Sequence, residues 1–269
     1  MTSGVASRNH VARHGPSITA VRADNPGPLT LTGTQTYVIG SGPLIVLDPG
    51  PQDEAHLGRV DDVIAGRPVA AVCLTHAHAD HAASAADAAA RWGELRASSA
   101  TLDLVELPGR AVADDEALEL GGGFRLRAIA TPGHSADHFC YLLEPSRALF
   151  TGDLVLGEGS TMIAHPDGSV EAYLASLARL TSFRPERLLP GHGPPVDDAL
   201  ARLEECRTHR LRRVASVRRA LEAGARTPAR IRAAVYGDLP ASHHAAAHLT
   251  IRAYLAFLGE MSSSISRRR

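Results

Sequence analysis

The chain has 269 residues, 44% hydrophobic and 21% charged, with a net charge of −1, enough for one sizeable core and too apolar for wholesale disorder. That balance argues against a broad nucleic-acid-binding face, which carries a basic excess, and no apolar run approaches the roughly 20 residues that span a bilayer, so no membrane partner is expected. Cys73, Cys140 and Cys206 stand far apart with no CxxC spacing, which fits buried, inert thiols in a reducing cytoplasm.

Residues 1–15 carry Arg8 and Arg13 but no apolar segment, and read as a frayed terminus rather than a secretory signal. Runs 36–39 and 43–47, joined across Gly40-Ser41-Gly42, predict a hairpin ended by Asp48-Pro49-Gly50. A helix over 53–64 and a buried strand over 69–74 follow. The next helix is expected over 80–92, with Asp80 where an acidic residue complements the helix dipole. Strands over 124–130, 138–143 and 148–151, a helix over 169–180 and a short strand at Leu188-Leu189 continue the alternation. After Pro195 helical periodicity takes over: Leu200, Leu203, Leu211, Val214, Val217 and Leu221 fit one amphipathic helix. Gly224 ends it, Thr227-Pro228 opens a second, and Ala241-Ser242 opens a third running to about Phe257. This divides the chain into an α/β domain over 1–197, a small helical domain over 198–262 and a disordered basic tail over 263–269.

Histidine and aspartate gather where turns follow strands. Thr75-His76-Ala77-His78-Ala79-Asp80-His81 follows the strand over 69–74. Thr131-Pro132-Gly133-His134, Thr151-Gly152-Asp153 and Pro190-Gly191-His192-Gly193 follow three later strands, at the ends where α/β folds build their sites. In an extended segment His76 and His78 point to the same side and can clamp one cation. Asp80 and His81, in the first turn of a helix, are rotated toward a second. Imidazole and carboxylate suit a borderline ion such as Zn2+, no thiolate competes, and His134, Asp153 and His192 supply further donors.

These residues resemble the metallo-β-lactamase superfamily, and within it the β-lactamase-like protein 2 group of endoribonuclease-type hydrolases. The closer likeness rests on Asn25-Pro26-Gly27-Pro28, Gly33-Thr34-Gln35-Thr36-Tyr37, the run from Gly152 through Asp153 to Ser160, and Pro190-Gly191-His192-Gly193-Pro194. Gln35 stands where relatives tend to carry Asn. The resemblance implies an αββα sandwich with a C-terminal winged-helix-like segment. It also implies two metals per chain: His76, His78 and His134 on the first, Asp80, His81 and His192 on the second, Asp153 between them. Asp48 matches a strand-end aspartate that orients a ligating histidine, whereas His138 reads as a buried neighbour of the ligands. Asp153 stands where lactam-cleaving relatives usually place Cys, which argues against antibiotic hydrolysis.

The expected chemistry is hydrolysis by a hydroxide bridging two zinc ions, with Asp80 and Asp153 as the catalytic carboxylates. A core of about +1 by formal count favours an anionic substrate. Single-stranded RNA and a small anionic thioester, as in glyoxalase II-type acyl hydrolases, are the two candidates. The group resemblance and the arginines of the long helix (Arg207, Arg210, Arg212, Arg213, Arg218, Arg219) favour RNA, and the neutral charge favours the acyl substrate. A non-catalytic nucleic-acid-binding protein would show broken ligands, and all seven are present. Specificity is expected from loops around 25–35, 105–117 and 157–167.

Overall fold

The structure, a computed structural model, describes residues 10–240 and 243–266, with side chains through residue 259 in the last helix. The first sheet has seven strands in chain order: β1 (Val11–Arg13), β2 (Ile18–Arg22), β3 (Gln35–Ile39), β4 (Leu44–Leu47), β5 (Val69–Cys73), β6 (Leu95–Ala97) and β7 (Arg110–Ala111). The second runs β12-β11-β10-β9-β8, from β8 (Ala117–Gly121), β9 (Phe124–Ala130), β10 (Phe139–Glu144), β11 (Ala148–Gly152) and β12 (Arg187–Pro190). The predicted hairpin is β3 against β4, with Tyr37 opposite Leu47. Beyond it β4, β5, β6 and β7 pair in parallel, so several strands deliver their C-terminal ends to one edge.

Alternation of side chains across the strands builds three apolar layers. Ile39, Ile45, Leu47 and Cys73 of the first sheet meet Leu126, Tyr141, Leu143 and Phe150 of the second in the middle. Val38, Val46, Val72 and Leu74 face outward against α1 (Glu54–Ile64) and α3 (Ala85–Trp92). Ile129, Cys140, Leu142 and Leu149 face the other way, against α5 (Val170–Ser182) and the C-terminal helices. This is the expected αββα sandwich, and Cys73 and Cys140 lie within its strands, buried and unoxidised.

The helix expected over 80–92 is broken into α2 (Ala79–Ala82) and α3. The backbone of the β4–α1 turn causes the break: Gly50 O accepts from the Ser84 amide at 3.1 Å, Gly50 N donates to His81 O at 2.9 Å, and the Ser84 hydroxyl donates to Pro51 O. These tertiary bonds replace intrahelical ones and fix His81 against the end of β4. In the segment expected to fray, Val11–Arg13 pairs with β2, Val11 opposite Val21; residues 1–9 lie outside the described residues. The short strands β2, β6, β7 and β8 and helix α4 (Ser99–Val105) carry too few periodic positions to be seen in the sequence.

Behind the sandwich run α6 (Ala199–Glu222), α7 (Pro228–Tyr236) and α8 (His244–Ser266). Asp198 caps α6 through its Oδ1 on Ala201 N, and Thr227 caps α7 with Pro228 at its first turn, each cap contributing about 1 kcal/mol. Among the described residues no strand follows β12, so the appendage is three helices without a wing. Residues 241–242, expected to open the last helix, lie outside the described residues. So do 267–269 of the tail, whereas α8 continues to Ser266, into the stretch expected to be disordered. Val214, Val217, Ile231, Ile251 and Tyr254 share one core with Tyr173 and Leu177 of α5, so the helices dock on their own chain.

Candidate metal centre

Four strand ends deliver the seven expected donors to one edge of the sandwich, where they form two clusters sharing a carboxylate. His76, His78, His134 and Asp153 make the first; Asp80, His81, His192 and Asp153 make the second. In the first, His78 Nδ1 lies 3.0 Å from both His76 Nε2 and His134 Nε2, and His134 Nε2 is 3.7 Å from Asp153 Oδ2. In the second, His192 Nε2 lies 3.0 Å from Asp80 Oδ2, 3.2 Å from Asp153 Oδ1 and 3.2 Å from His81 Nε2. Donors arranged tetrahedrally about 2.0–2.2 Å from one ion stand about 3.3–3.6 Å apart. The observed spacings of 3.0–3.7 Å fall on either side of that range, within a few tenths of an ångström, so each cluster could hold a divalent ion.

Hydrogen bonds behind the donors fix which nitrogen faces the cluster. Asp48 Oδ1 accepts from the Thr75 amide at 2.7 Å, and its Oδ2 accepts from the Thr75 hydroxyl at 2.8 Å. With its only hydrogen committed, Thr75 Oγ1 must accept from His76 Nδ1 at 2.9 Å, which leaves His76 Nε2 bare. Asp48 Oδ2 also takes His81 Nδ1–H at 2.9 Å, and Met162 O takes His134 Nδ1–H at 2.8 Å. Both rings therefore turn Nε2 to the clusters, and that nitrogen is bare whenever the ring is neutral. Asp153 Oδ1 is buried and accepts no hydrogen bond, as befits a carboxylate oxygen intended for a cation.

Burial sets much of the electrostatics. It pushes His76 well below the usual imidazole range, assisted by His81, His138 and His134, and lowers His134 as well, so these donors stay neutral. In the second cluster burial opposes charge on His81 and His192, but Asp153 with Asp48, and Asp153 with Asp80, overcome it. His81 rises well above its ordinary value and His192 to about 9. Burial would raise Asp153, yet His81 and His192 drive it well below the carboxylate range.

His138 sits behind the ligands as expected: its Nε2 accepts from the Asp153 amide at 3.2 Å and its Nδ1 pairs with Thr131 Oγ1 at 3.0 Å. Apart from its place three residues after His134, nothing in the local sequence pattern marks Asp137 as part of the site. Its Oδ2 accepts from Ala77 N at 2.8 Å and Thr101 Oγ1 at 2.9 Å, and its Oδ1 from Ser135 Oγ at 2.6 Å, so it clamps the turns of His76, His78 and His134 together. Gly191 is required by space, because a Cβ there would stand 2.6 Å from His81 Cε1 and 3.0 Å from Asp153 Oδ1. Thr34, paired with His192 across an isolated bridge, and the Gln35 amide, donating to Gly191 O at 2.8 Å, hold this last turn in place.

A cavity of about 560 Å³ opens from His78, Asp80, His134 and Asp153. Its far wall is the C-terminal appendage, including Arg210, Arg213, Tyr236 and Tyr254, while Leu29, Leu156 and Met162 come from two of the loops expected to give specificity. The loop over 105–117 does not reach it; helices α6 to α8 take that place. Tyr173 of α5 lies in the core.

The sequence profile of the Metallo-beta-lactamase superfamily matches residues 29–192, from the Leu29 loop to the last histidine of the centre. The chain is 33% identical over 205 residues to the "Beta-lactamase-like protein 2 homolog" of Caenorhabditis elegans, covering 73% of this chain and 68% of that protein. It is 31% identical over 242 residues to an "Atrochrysone carboxyl ACP thioesterase" of Aspergillus fumigatus, covering 84% and 75%. The crystal structure of a metallo-beta-lactamase family protein from Thermus thermophilus superposes with a TM-score of 0.77 at 23% identity, covering 92% of this chain and 95% of that one. With fold, family match and paired His/Asp clusters in agreement, the chain belongs to the metallo-beta-lactamase superfamily and is a metal-dependent hydrolase.

Proposed function

We propose that the chain is a dinuclear zinc hydrolase that cleaves a small acyl thioester. The observation that carries this is the cavity: it starts at the shared clusters and is closed by the chain's own C-terminal segment, where Tyr236, Leu239, Ala247 and Tyr254 stand beside Arg210 and Arg213. Such a chamber suits an acyl group, and the thioesterases among the relatives support the same chemistry. His76, His78 and His134 would hold one ion and Asp80, His81 and His192 the other, with the two oxygens of Asp153 facing one cluster each. Two such ions supply an acidified water nucleophile and polarisation of the scissile carbonyl. The protein's part is orientation: Asp48 and Thr75 set two ring tautomers, and Asp137 holds the ligand turns at fixed separation.

The second candidate, endonucleolytic cleavage of single-stranded RNA, is favoured by the resemblance to endoribonuclease-type relatives and by the arginines of α6. At 3.6 residues per turn those arginines divide among three directions: Arg207 with Arg218, Arg212 with Arg219, and Arg210 with Arg213. Arg207 is engaged with Glu204. They form no single phosphate track, and the acyl substrate is the better fit.

The test uses purified protein loaded with zinc, a panel of acyl thioesters and a labelled single-stranded RNA, with Asp80→Ala alongside. Thioester turnover that falls at least 100-fold in Asp80→Ala, without RNA cleavage, is expected. Metal-dependent RNA cleavage without thioesterase activity would overturn the acyl assignment.

A further inference from the structure

Arg210 is the one arginine that is buried among the described residues, only 2% exposed, and it lines the cavity. All its partners are neutral. Nη1 donates to Tyr254 Oη at 2.8 Å, and Nη2 donates to Thr161 O at 2.9 Å and Ser160 Oγ at 3.2 Å; Nε has no partner. The guanidinium lies 5.0 Å from the Tyr173 ring centroid and 5.8 Å from that of Tyr254. One turn on, Arg213 lines the same cavity, 4.7 Å over Tyr236, and donates to Val235 O at 2.9 Å. The acids near this stretch of α6 are spent elsewhere, Glu204 on Arg207 and Glu205 on Arg202. Among the described residues neither Arg210 nor Arg213 makes a carboxylate ion pair.

A buried guanidinium without a counter-ion carries a desolvation cost that neutral hydrogen bonds and ring faces offset only in part. Its field is undiminished by any neighbouring carboxylate, and it points into a chamber shared with the metal clusters. The two sites are also linked: Thr161, whose carbonyl accepts from Arg210, places its hydroxyl 3.1 Å from His134 Nδ1. We propose that Arg210, assisted by Arg213, is a carboxylate-binding subsite, and that the substrate is an acyl thioester whose acyl part ends in a carboxylate. This rests on the acyl-hydrolase reading for the carbonyl end. The anion belongs to the acyl part because Arg210 lies at the buried wall, whereas a leaving thiol attached to a carrier must extend to solvent. With three of its five N–H donors already engaged, Arg210 still has an Nη1 hydrogen for a charge-assisted bond to a carboxylate, and Arg213 adds further donors.

The test is titration calorimetry on the zinc-loaded full chain. Dicarboxylates from succinate to adipate are compared with the monocarboxylate of equal length, which shares only the metal-facing end. Wild type is expected to prefer the dicarboxylate at least tenfold at one or more chain lengths. Arg213→Gln is expected to cut that preference threefold or more, and Arg210→Gln to abolish it. Should Arg210→Gln fail to fold, Arg213→Gln decides. Equal affinities in wild type, or a preference unchanged in the variants, would overturn the proposal. A kinetic arm compares kcat/KM for adipoyl and hexanoyl N-acetylcysteamine thioesters, and the ratio should fall tenfold in Arg210→Gln and threefold or more in Arg213→Gln; loss in equal proportion on both substrates would mark a structural role and overturn it. Thioester hydrolysis without dicarboxylate preference sinks this inference alone. A preference in a protein that cleaves no thioester sinks the acyl-hydrolase reading and leaves the anion subsite standing.

Discussion

Asp48 and His81 are joined by a buried 2.9 Å hydrogen bond from imidazole Nδ1 to carboxylate Oδ2, made by an aspartate held at φ +53°. Aspartate is among the few residues besides glycine that adopt this left-handed conformation readily. The kink at the end of β4 aims both oxygens at the ligand loop. Asp48→Asn keeps the backbone tolerance but loses the charge behind His81. Affinity for the second metal, whose ligand His81 this side chain touches directly, should fall 10–100-fold, and affinity for the first, reached only through Thr75 and His76, should fall less, measured by competition with a graded series of chelators. Equal loss of both metals would contradict the direct role at His81.

Asp137 makes a separate prediction. It is buried, and its removal leaves the Ala77 amide and two hydroxyls without their acceptor. Asp137→Ala should cost about 3 kcal/mol of unfolding free energy, from roughly 1–3 kcal/mol per unsatisfied buried group, and should weaken the first metal more than the second. Urea unfolding of metal-free protein, with metal titration of the folded variant, separates the two effects.

How much of this was legible in the sequence depends on how local each signal is. The seven donors were visible because each sits in a glycine-bearing or helix-opening turn directly after an apolar strand, so short-range pattern and site coincide. Asp137 and the break at Ser84 were invisible because both are decided by backbone groups far off in sequence, Ala77 and Gly50. The arginines of α6 looked like one charged group by composition. Packing splits them, since Arg210 and Arg213 lie on the same side of the helix as the cavity and the other four do not. The helical appendage was expected, but its use as a wall of the site follows only from its docking on α5.

His56 gives a pH prediction independent of the ligands. It is buried, pairs through Nε2 with Thr36 Oγ1 at 2.7 Å, and leaves Nδ1 without a partner. Burial, with Arg59 nearby, lowers its pKa from 6.5 to about 4. The unfolded chain therefore takes up a proton below pH 6.5 that the folded chain refuses until about pH 4. Stability contributed by neutral His56 is present above pH 6.5 and is lost as pH falls across this window, by about 3 kcal/mol in all. In metal-stripped protein, His56→Gln should show a correspondingly shallower acid dependence in denaturant midpoints. An unchanged slope would contradict it.

Gly191→Ala tests the space at the second cluster without removing a donor. The added methyl would meet His81 and Asp153, so the second metal should be lost while His76, His78 and His134 still bind one. Metal analysis after dialysis should find about one ion per chain; two ions with wild-type affinity would contradict the geometry.

The central claim is a pair of metals sharing Asp153. Anomalous diffraction at the zinc edge from crystals of the zinc-loaded protein tests it most directly. The account predicts two peaks about 3.5–4 Å apart, one bounded by His76, His78 and His134, the other by Asp80, His81 and His192. A single peak, or peaks elsewhere on the molecule, would contradict it.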